Sequence, residues 1–446
     1  MNGLLLLLII FILLGLFGTY AVITTKKAVL SQTETWIMKL WKKPEIKSIS
    51  SSLISIVLGM IIGCIILIIM TFFPTSGLPL NMNSAINGIQ LIFFGILKTG
   101  RNAFGLTFGF NGQNIGNMLF RATPLILTGL SVAVAFKTGL FNIGAPGQYL
   151  MGTAATLILA LVIPTDVVPA IVVWAIALLG GMLAGAIWGA VPGLFKSLLN
   201  VNEVITCIMM NWIAANFVTS LFDKTVGPFK YLLDPSGTKN YAFVYKTTYN
   251  GVFTPKLGLD KIFVGSQVNG GIVVAILIAI IVYIVINKTT FGYELKACGS
   301  NKYAAKYAGI NEKTSAVISM AIAGALAGAG ASLYYLSGNT EFAWETYQTL
   351  PAIGFNGIPV ALLASNNPIG VIFSSIFMST LDINGMELKY NTFYNEYITS
   401  IISALIFYFS AFSLVIQQAL NGNGSLFKKK KVDDKTVELL KEEVVE

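Results

Sequence analysis

The sequence has 446 residues, of which 55% are hydrophobic and only 11% are charged. Because soluble domains carry about a quarter charged residues, this composition excludes a water-soluble fold. The 29 basic residues outnumber the 20 acidic ones, but they stand between apolar segments instead of forming one patch. That distribution argues against nucleic acid as a partner and is typical of the loops of membrane proteins.

Apolar segments of roughly 20 residues, long enough to cross about 30 Å of hydrocarbon, recur along the sequence. They predict an all-α fold, a polytopic transmembrane helical bundle of ten or eleven spans. The first segment, residues 3–23, is followed by Lys26 and Lys27, which predicts a retained helix whose N-terminus lies outside the cell. Residues 1–52 thus comprise an extra N-terminal helix and a basic cytoplasmic linker. The next predicted spans are 53–73, 118–136, 149–163, 168–191, 204–222, 271–287, 314–336 and 397–420.

Lysine-rich loops orient these spans. The loop 288–313 contains five lysines, which predicts a cytoplasmic location, whereas the long loop 223–270 is expected outside. The apolar region 350–381 is broken and counts as one or two crossings, so the total is ten or eleven. The tail 421–446 contains the lysine run 428–431 and is expected to be a charged cytoplasmic segment.

Two segments interrupt the apolar pattern with glycine, proline and amide residues. They read GLFNIGAPGQ at 139–148 and GFNGIPVALL at 354–363. Paired interruptions of this kind indicate discontinuous helices near the membrane midplane, where transporters place their binding sites. The alternative is a pair of ordinary loops with turn residues.

The segment TFGYELKACGSNKYAAKYAGI at 290–310 is too polar to cross a membrane. Its alanines predict a short helix with a small-residue face, which another surface can approach closely. One interpretation is a docking helix for a cytoplasmic partner; the other is a solvated basic loop.

The sequence lacks the residues that several kinds of chemistry require. The sequence has no histidine, and its three cysteines show no metal or disulfide spacing, so neither a metal nor another cofactor is expected. The phosphate-binding pattern G-x-x-x-x-G-K-[ST] does not occur, so the chain is predicted to be no ATPase and no enzyme. Ionisable residues in apolar segments are few, which disfavours ion-coupled transport, and each is expected near a helix end; they are Arg121, Glu203, Asp382 and Glu387.

Four segments together resemble a known family. They are RATPLILTGLSVAVAFKTGLFNIGAPGQ at 121–148, VNEVITCIMMNWIA at 201–214, ELKACGSNKYAAKYAGI at 294–310 and GFNGIPVALLA at 354–364. They resemble permease subunits of bacterial ABC importers in the branched-chain amino acid, ribose and nucleoside permease superfamily. Within it the sequence is most similar to nucleoside permeases served by basic-membrane-protein-type lipoproteins. The resemblance covers about 53–420; one departure is Pro146, where relatives commonly carry glutamate.

This resemblance implies a subunit of the bacterial plasma membrane that imports nucleosides by alternating access. Its expected partners are membrane lipid, a cytoplasmic ATP-binding subunit, a second related but distinct permease chain, and an external substrate-binding lipoprotein. For an uncharged, polar, flat substrate the pathway is expected to offer amides and aromatic faces, which are Asn142, Gln148, Asn211, Trp212, Phe355 and Asn356. The loop 288–313 would hold the coupling helix, with Lys296, Gly299, Ala304, Ala305, Tyr307 and Gly309 at the ATPase contact.

Three alternatives remain on the sequence. The substrate could be a simple sugar or a riboflavin-like solute. The protein could be an ion-coupled secondary carrier, which the sparse charge disfavours. It could also be a structural membrane protein, which the two interrupted segments disfavour.

Overall fold

The computed structural model describes residues 44–72, 82–102, 105–233, 251–392, 394–395 and 397–412. The predicted first helix 3–23, most of the cytoplasmic linker, the end of the last predicted span and the tail 421–446 lie outside these residues. Within them the helices are α1 (Pro44–Phe72), α2 (Met82–Phe94), α3 (Gly112–Lys137), α4 (Ala145–Val162), α5 (Ala170–Leu199), α6 (Glu203–Leu221), α7 (Leu259–Ile262), α8 (Gly271–Lys288), α9 (Thr290–Ser300), α10 (Lys302–Tyr307), α11 (Glu312–Tyr335), α12 (Ala352–Leu363), α13 (Pro368–Asn391) and α14 (Tyr397–Ala411).

Eight of the described helices are long and apolar enough to cross a membrane. They are α1, α3, α4, α5, α6, α8, α11 and α13, and the shorter apolar helices α2, α12 and α14 accompany them. The polytopic helical bundle predicted from the sequence is thereby confirmed. Several helices run further than their apolar segments: α5, for example, continues to Leu199 instead of stopping at residue 191.

The broken region 350–381 forms two helices instead of one. Helix α12 has 12 residues, about 18 Å at 1.5 Å per residue, which is too short to cross the bilayer. The turn that follows has left-handed backbone at Ser365 (φ 50°) and Asn366 (φ 57°). The Asn367 side chain then accepts a hydrogen bond of 3.0 Å from the Ile369 amide and starts α13.

A small antiparallel hairpin was not predicted from the sequence. Strand β1 (Lys98–Asn102) pairs with β2 (Gly105–Phe108) between α2 and α3. Its buried residues Leu106 and Phe108 belong to the main core. Strand β1 contains no apolar side chain, and β2 alternates over only four residues, the shortest run by which a strand is identified.

Helices α5 and α11 form the closest helix pair of the bundle. Gly181, Gly185 and Gly189 lie one turn apart on α5 and face Gly324 and Gly328 on α11. A Cβ at Gly324 would overlap the Gly185 carbonyl oxygen, and one at Gly185 would lie 3.1 Å from the Gly324 carbonyl carbon. The backbones therefore touch, as small residues allow helices to do inside membranes.

The bundle has two distinct ends. The end containing Lys137, Lys196 and the loop 288–313 is called the basic end below; Thr138, Lys196 and Lys302 line one cavity there, of about 600 Å³. The opposite end carries the hairpin, residues 251–270 and residues 337–351. There the Trp174 Nε1 donates to Thr254 Oγ1 over 3.0 Å, and Asn339 Nδ2 to the Gln267 carbonyl over 2.9 Å.

Candidate functional site

The two interrupted segments of the sequence meet inside the bundle. A Cβ at Gly354 would lie 2.5 Å from Pro146 Cα, so α12 passes directly against the beginning of α4. One turn further, a Cβ at Gly357 would lie 2.6 Å from the Thr128 carbonyl carbon in α3. Glycine is needed at both positions because any side chain would push α12 away from its neighbours.

The first interruption separates α3 from α4. Helix α3 ends at Lys137, and Gly139 turns the chain with φ 72°. Residues 140–144 re-enter the protein before α4 begins at Ala145, with Pro146 in its first turn. Proline fits there because the first amides of a helix have no intrahelical acceptor. Pro146 therefore belongs to a regular helix start, and no carboxylate is required at this position.

A closed amide network holds this connection in place. Asn142 Nδ2 donates to Gln148 Oε1 over 2.8 Å and to Ser131 Oγ over 3.0 Å. Its Oδ1 accepts from Gln148 Nε2 over 2.9 Å and from the Gly144 amide over 3.2 Å. Asn142 is 0% exposed and Gln148 is 1% exposed. Because these groups satisfy one another, they fix the backbone break and offer little to a ligand in this conformation.

Asn211 extends the same support from α6. Its Oδ1 accepts a 2.9 Å bond from the Gly147 amide, and its Nδ2 donates 3.0 Å to the Ile143 carbonyl. Trp212, the next residue, points the other way and is 56% exposed on the surface of α6. Asn211 and Trp212, which were both predicted to line the pathway, therefore face different surroundings.

Phe355 and Asn356 lie on the opposite face of α12 from its packed glycines. Both are exposed in the chain, and Asn356 lines a cavity of about 150 Å³ that also contains Asp382. Of the six predicted pathway residues, the structure brings Asn142, Gln148 and Asn211 together at the break and places Asn356 at this cavity, whereas Phe355 is exposed beside it in sequence but does not line it. Ser400 and Ser403 of α14, which also line the cavity, were not identified from the sequence.

The four ionisable residues divide into two pairs. Glu203 starts α6 and pairs with Lys196 over 2.9 Å, and Glu387 pairs with Lys98 over 3.2 Å near the end of α13. Arg121 and Asp382 do not lie near helix ends, so that prediction is wrong for these two residues. Arg121 stands nine residues from the start of α3 at Gly112, and Asp382 nine residues from the end of α13 at Asn391. Both are therefore about 13 Å inside their helices, and they interact electrostatically.

The loop 288–313 forms the two short helices α9 and α10 at the basic end. Asn301 caps α10 by accepting from the amides of Tyr303 (3.0 Å) and Ala304 (3.1 Å). Gly309 ends the segment with φ 83°. A short helix is thus present where the sequence predicted one.

The predicted coupling residues fall on two sides of this segment. Ala304 and Gly309 are exposed, and Tyr307 is 95% exposed, whereas Ala305 is 3% exposed and faces the rest of the chain. Lys296 is half-buried. Tyr303, 67% exposed, lies one turn before Tyr307, so two tyrosine rings project from the tip of the loop.

Gly299 connects this segment to the helix break. A Cβ at Gly299 would overlap the Lys137 carbonyl oxygen, and a Cβ at Gly139 would lie 3.1 Å from Gly299 Cα. The backbone of the basic loop therefore rests directly on the turn that leads into the amide network.

Comparisons with known proteins identify the family of this chain. A sequence model of the family described as "Branched-chain amino acid transport system / permease component" matches residues 114–411. The nucleoside ABC transporter permease protein NupB of Lactococcus lactis subsp. cremoris is 33% identical over 82% of this chain and 92% of its own. The guanosine ABC transporter permease protein NupP of Bacillus subtilis is 32% identical over 84% and 96%. The glucose ABC transporter permease protein TsgB13 of Haloferax volcanii is 29% identical over 73% and 83%.

No solved structure matches the chain. The family match covers the helices α3 to α14, and with them the interrupted segments and the basic loop. The chain therefore belongs to the family of permease components of branched-chain amino acid transport systems, and is the membrane-spanning, ATPase-free subunit of an ABC importer.

Proposed function

We propose that this permease carries nucleosides into a bacterial cell by alternating access, driven by a separate ATP-binding subunit. The observation that carries the proposal is the near-complete coverage of two relatives named for nucleosides and for guanosine, 92% and 96% of their lengths. The cycle needs a partner that binds the inward-open and outward-open states differently. ATP-dependent closure of the separate subunit supplies that difference.

The ATP-binding subunit docks on α9 and α10 in this proposal. Tyr303 and Tyr307 project from the basic loop, and exposed aromatic side chains are frequent anchors of protein interfaces. Ala304, Tyr307 and Gly309 would contact the partner. Ala305, Gly299 and Lys296 would transmit its movement to the permease, with Gly299 pressing on the turn before α4.

The basic end faces the cytoplasm in this proposal. Lysines concentrate there, at the last residues of α3 and α8 and in the loop between α8 and α11, as the positive-inside bias requires. The C-terminus then lies inside and the N-terminus outside, and the hairpin end would receive a substrate-binding lipoprotein. Residues 53–420 form the transport unit, 1–52 an added anchor and linker, and 421–446 a cytoplasmic tail.

A second permease chain, related but distinct, would complete the pore. Asp382 and Asn356 are exposed in the single chain although they lie among apolar helices. Polar and ionised groups at membrane depth face protein or a water-filled path and not lipid. A partner permease opposite α12, α13 and α14 would enclose such a path.

The predicted pathway residues take two roles in this proposal. Phe355 and Asn356 would line the path, whereas Asn142, Gln148 and Asn211 would hold the break between α3 and α4 that borders it. The place of Trp212 in the path stays a prediction, because its ring lies on the outer surface of α6.

Uptake of labelled nucleosides by cells with and without the gene tests the proposed function. We expect deletion to abolish saturable uptake of purine or pyrimidine nucleosides and expression of the gene with its partners to restore it. Because one relative is named for glucose, a simple sugar is the second candidate. Unchanged nucleoside uptake after deletion, together with lost glucose uptake, would replace the first proposal by the second.

Replacing Asn142 with leucine tests the role of the amide network. The variant loses the bonds to Ser131, Gln148 and Gly144 and leaves the buried Gln148 amide unpaired, which costs about 1–3 kcal/mol. We expect slower uptake and a lower melting temperature, with unchanged retention of the ATP-binding subunit in pull-downs. Asn216→Leu is the matched control, since Asn216 is exposed on α6 and donates to the Trp212 carbonyl in its own helix. If Asn142→Leu transports substrate with the same kinetics as Asn216→Leu, the amide network has no role in transport.

A further inference from the structure

The cavity beside Asn356 has the features of a ligand subsite. It encloses about 150 Å³ between α3, α12, α13 and α14. Its polar lining consists of Asn356, Asp382, Ser400 and Ser403, and Phe407 forms part of its apolar wall. Asp382 is the carboxylate about 13 Å inside α13 described above, and it directly follows the apolar stretch of that helix.

These four polar side chains have unused hydrogen-bonding capacity. Within the described residues, none of them makes a side-chain hydrogen bond or an ion pair within 4 Å. Ser403 is only 9% exposed and forms part of the cavity wall. The contrast with the Asn142 network, where every amide group is paired, is direct. Asn356, Asp382 and Ser400 are exposed in the single chain and line the cavity, so their polar groups can bind water or a ligand there.

The charge of the cavity favours an uncharged ligand rich in donors. The Asp382 carboxylate can only accept hydrogen bonds when ionised. Arg121 is the cation that interacts with it, and the Arg121 guanidinium also lies 3.4 Å from Met386 Sδ. The pair is neutral in sum, which disfavours binding of an anion or a cation. Hydroxyl groups meet the requirement because they donate to a carboxylate and accept from an amide or a serine.

We propose that Asp382, with Asn356 and Ser403, binds the adjacent hydroxyl groups of a sugar ring during transport. This inference rests on the proposed nucleoside import, and it identifies the sugar as the part of the substrate that the permease binds. Ligand pockets usually measure about 300–1,000 Å³, so a cavity of about 150 Å³ accepts one ring and leaves the nucleobase in the wider path. Phe407 offers that ring an apolar contact. Guanosine and glucose, after which two of the relatives are named, each contain a ring with neighbouring hydroxyls.

The test compares Asp382→Asn with the wild-type protein in the complete importer reconstituted in proteoliposomes. Uptake is measured for a ribonucleoside and for its 2′,3′-dideoxy analogue, which lacks both ring hydroxyls. For each permease, ribonucleoside uptake is divided by analogue uptake. Because both permeases receive substrate from the same lipoprotein, the preference of the lipoprotein cancels when these two ratios are compared. We expect Asp382→Asn to slow ribonucleoside uptake roughly tenfold, the usual effect of losing a charge-assisted hydrogen bond. Uptake of the dideoxy analogue should change less than about twofold.

Two further variants provide a control and a second test of the cavity. Glu387→Gln removes a carboxylate from the same helix outside the cavity, and should keep the wild-type ratio between the two substrates. Ser403→Ala is uncharged and nearly isosteric, so it keeps the test decisive if Asp382→Asn does not fold. It should show the same selective loss to a smaller degree.

The remaining outcomes contradict the inference in different ways. Equal slowing of both substrates by Asp382→Asn would mean that the carboxylate only balances Arg121. Unchanged uptake of both by Asp382→Asn and Ser403→Ala would exclude the cavity from the path. If the wild-type importer takes up no nucleoside, the proposed function fails and this inference with it, whereas the first two outcomes leave nucleoside import standing.

Discussion

Replacing Gly324 with leucine is expected to leave almost no folded permease in the membrane. Its side chain would occupy space now filled by the Gly185 backbone, and α5 would have to move away along its whole length. Overpacking of a core by a few methylenes costs about 1–3 kcal/mol when side chains can shift. Here backbone atoms stand in the way, so we expect a cost above about 3 kcal/mol. Yield and peak shape in size-exclusion chromatography from mild detergent measure the result.

A pair of alanine variants provides the control for this prediction. Gly324→Ala still places a Cβ on the Gly185 carbonyl oxygen, whereas a Cβ at Gly180 meets only the end of the flexible Leu159 side chain. We therefore expect Gly324→Ala to lower the melting temperature and Gly180→Ala to change it little. Equal yields and melting temperatures for Gly324→Leu and the wild-type protein would show that α5 and α11 are not packed through these glycines.

Replacing Ala304 with arginine is expected to abolish coupled transport without unfolding the permease. Ala304 is exposed on α10 beside Tyr307, so a bulky charge there meets the partner and not the permease's own core. Ala305 is unsuitable for this test because it is 3% exposed and a large residue there would disturb the chain itself. We expect uptake to fall at least roughly thirtyfold, as loss of an interface hot spot of about 2 kcal/mol would cause. The ATP-binding subunit should be lost from affinity-purified permease.

The same substitution at the other end of the bundle serves as its control. Ala343 is exposed in the segment between α11 and α12. Ala343→Arg adds the same charge and should retain the ATP-binding subunit fully. Full retention of that subunit by Ala304→Arg as well would mean that docking occurs elsewhere.

Apolar length was enough to predict the membrane-spanning part of the fold. Segments such as 271–287 coincide almost residue for residue with α8, because lipid requires a complete helical ladder over the hydrocarbon thickness. Helix ends were less predictable: polar residues continue the ladder in water, which is why α13 runs to Asn391. That extension is also why Asp382 lies inside a helix and not at its end.

The roles of the polar residues could be predicted only in part. Asn142 and Asn356 look alike in the sequence, since each is an amide that follows a phenylalanine in a glycine-containing interrupted segment. Their difference arises from tertiary contacts: Asn142 meets Gln148 and Ser131, while Asn356 faces a cavity. The sequence does not show whether an amide is already hydrogen-bonded, because its partners come together only in the folded protein. The aspartate among apolar residues at 382 was the available signal for the subsite.

The orientation of the loop that contains α9 and α10 underlies every step of this account, and cysteine labelling measures it directly. Tyr307→Cys, in a Cys298→Ser background, places a thiol at the 95% exposed tip of α10, while Cys64 and Cys207 lie within α1 and α6. Tyr347→Cys, at an 88% exposed site between α11 and α12, is the control for the outer end. With a membrane-impermeant maleimide, intact cells should label Tyr347→Cys and not Tyr307→Cys. Inside-out vesicles should label Tyr307→Cys, and less so when the ATP-binding subunit is bound. Labelling of Tyr307→Cys in intact cells would contradict the account, because an ATPase in the cytoplasm could not reach that loop.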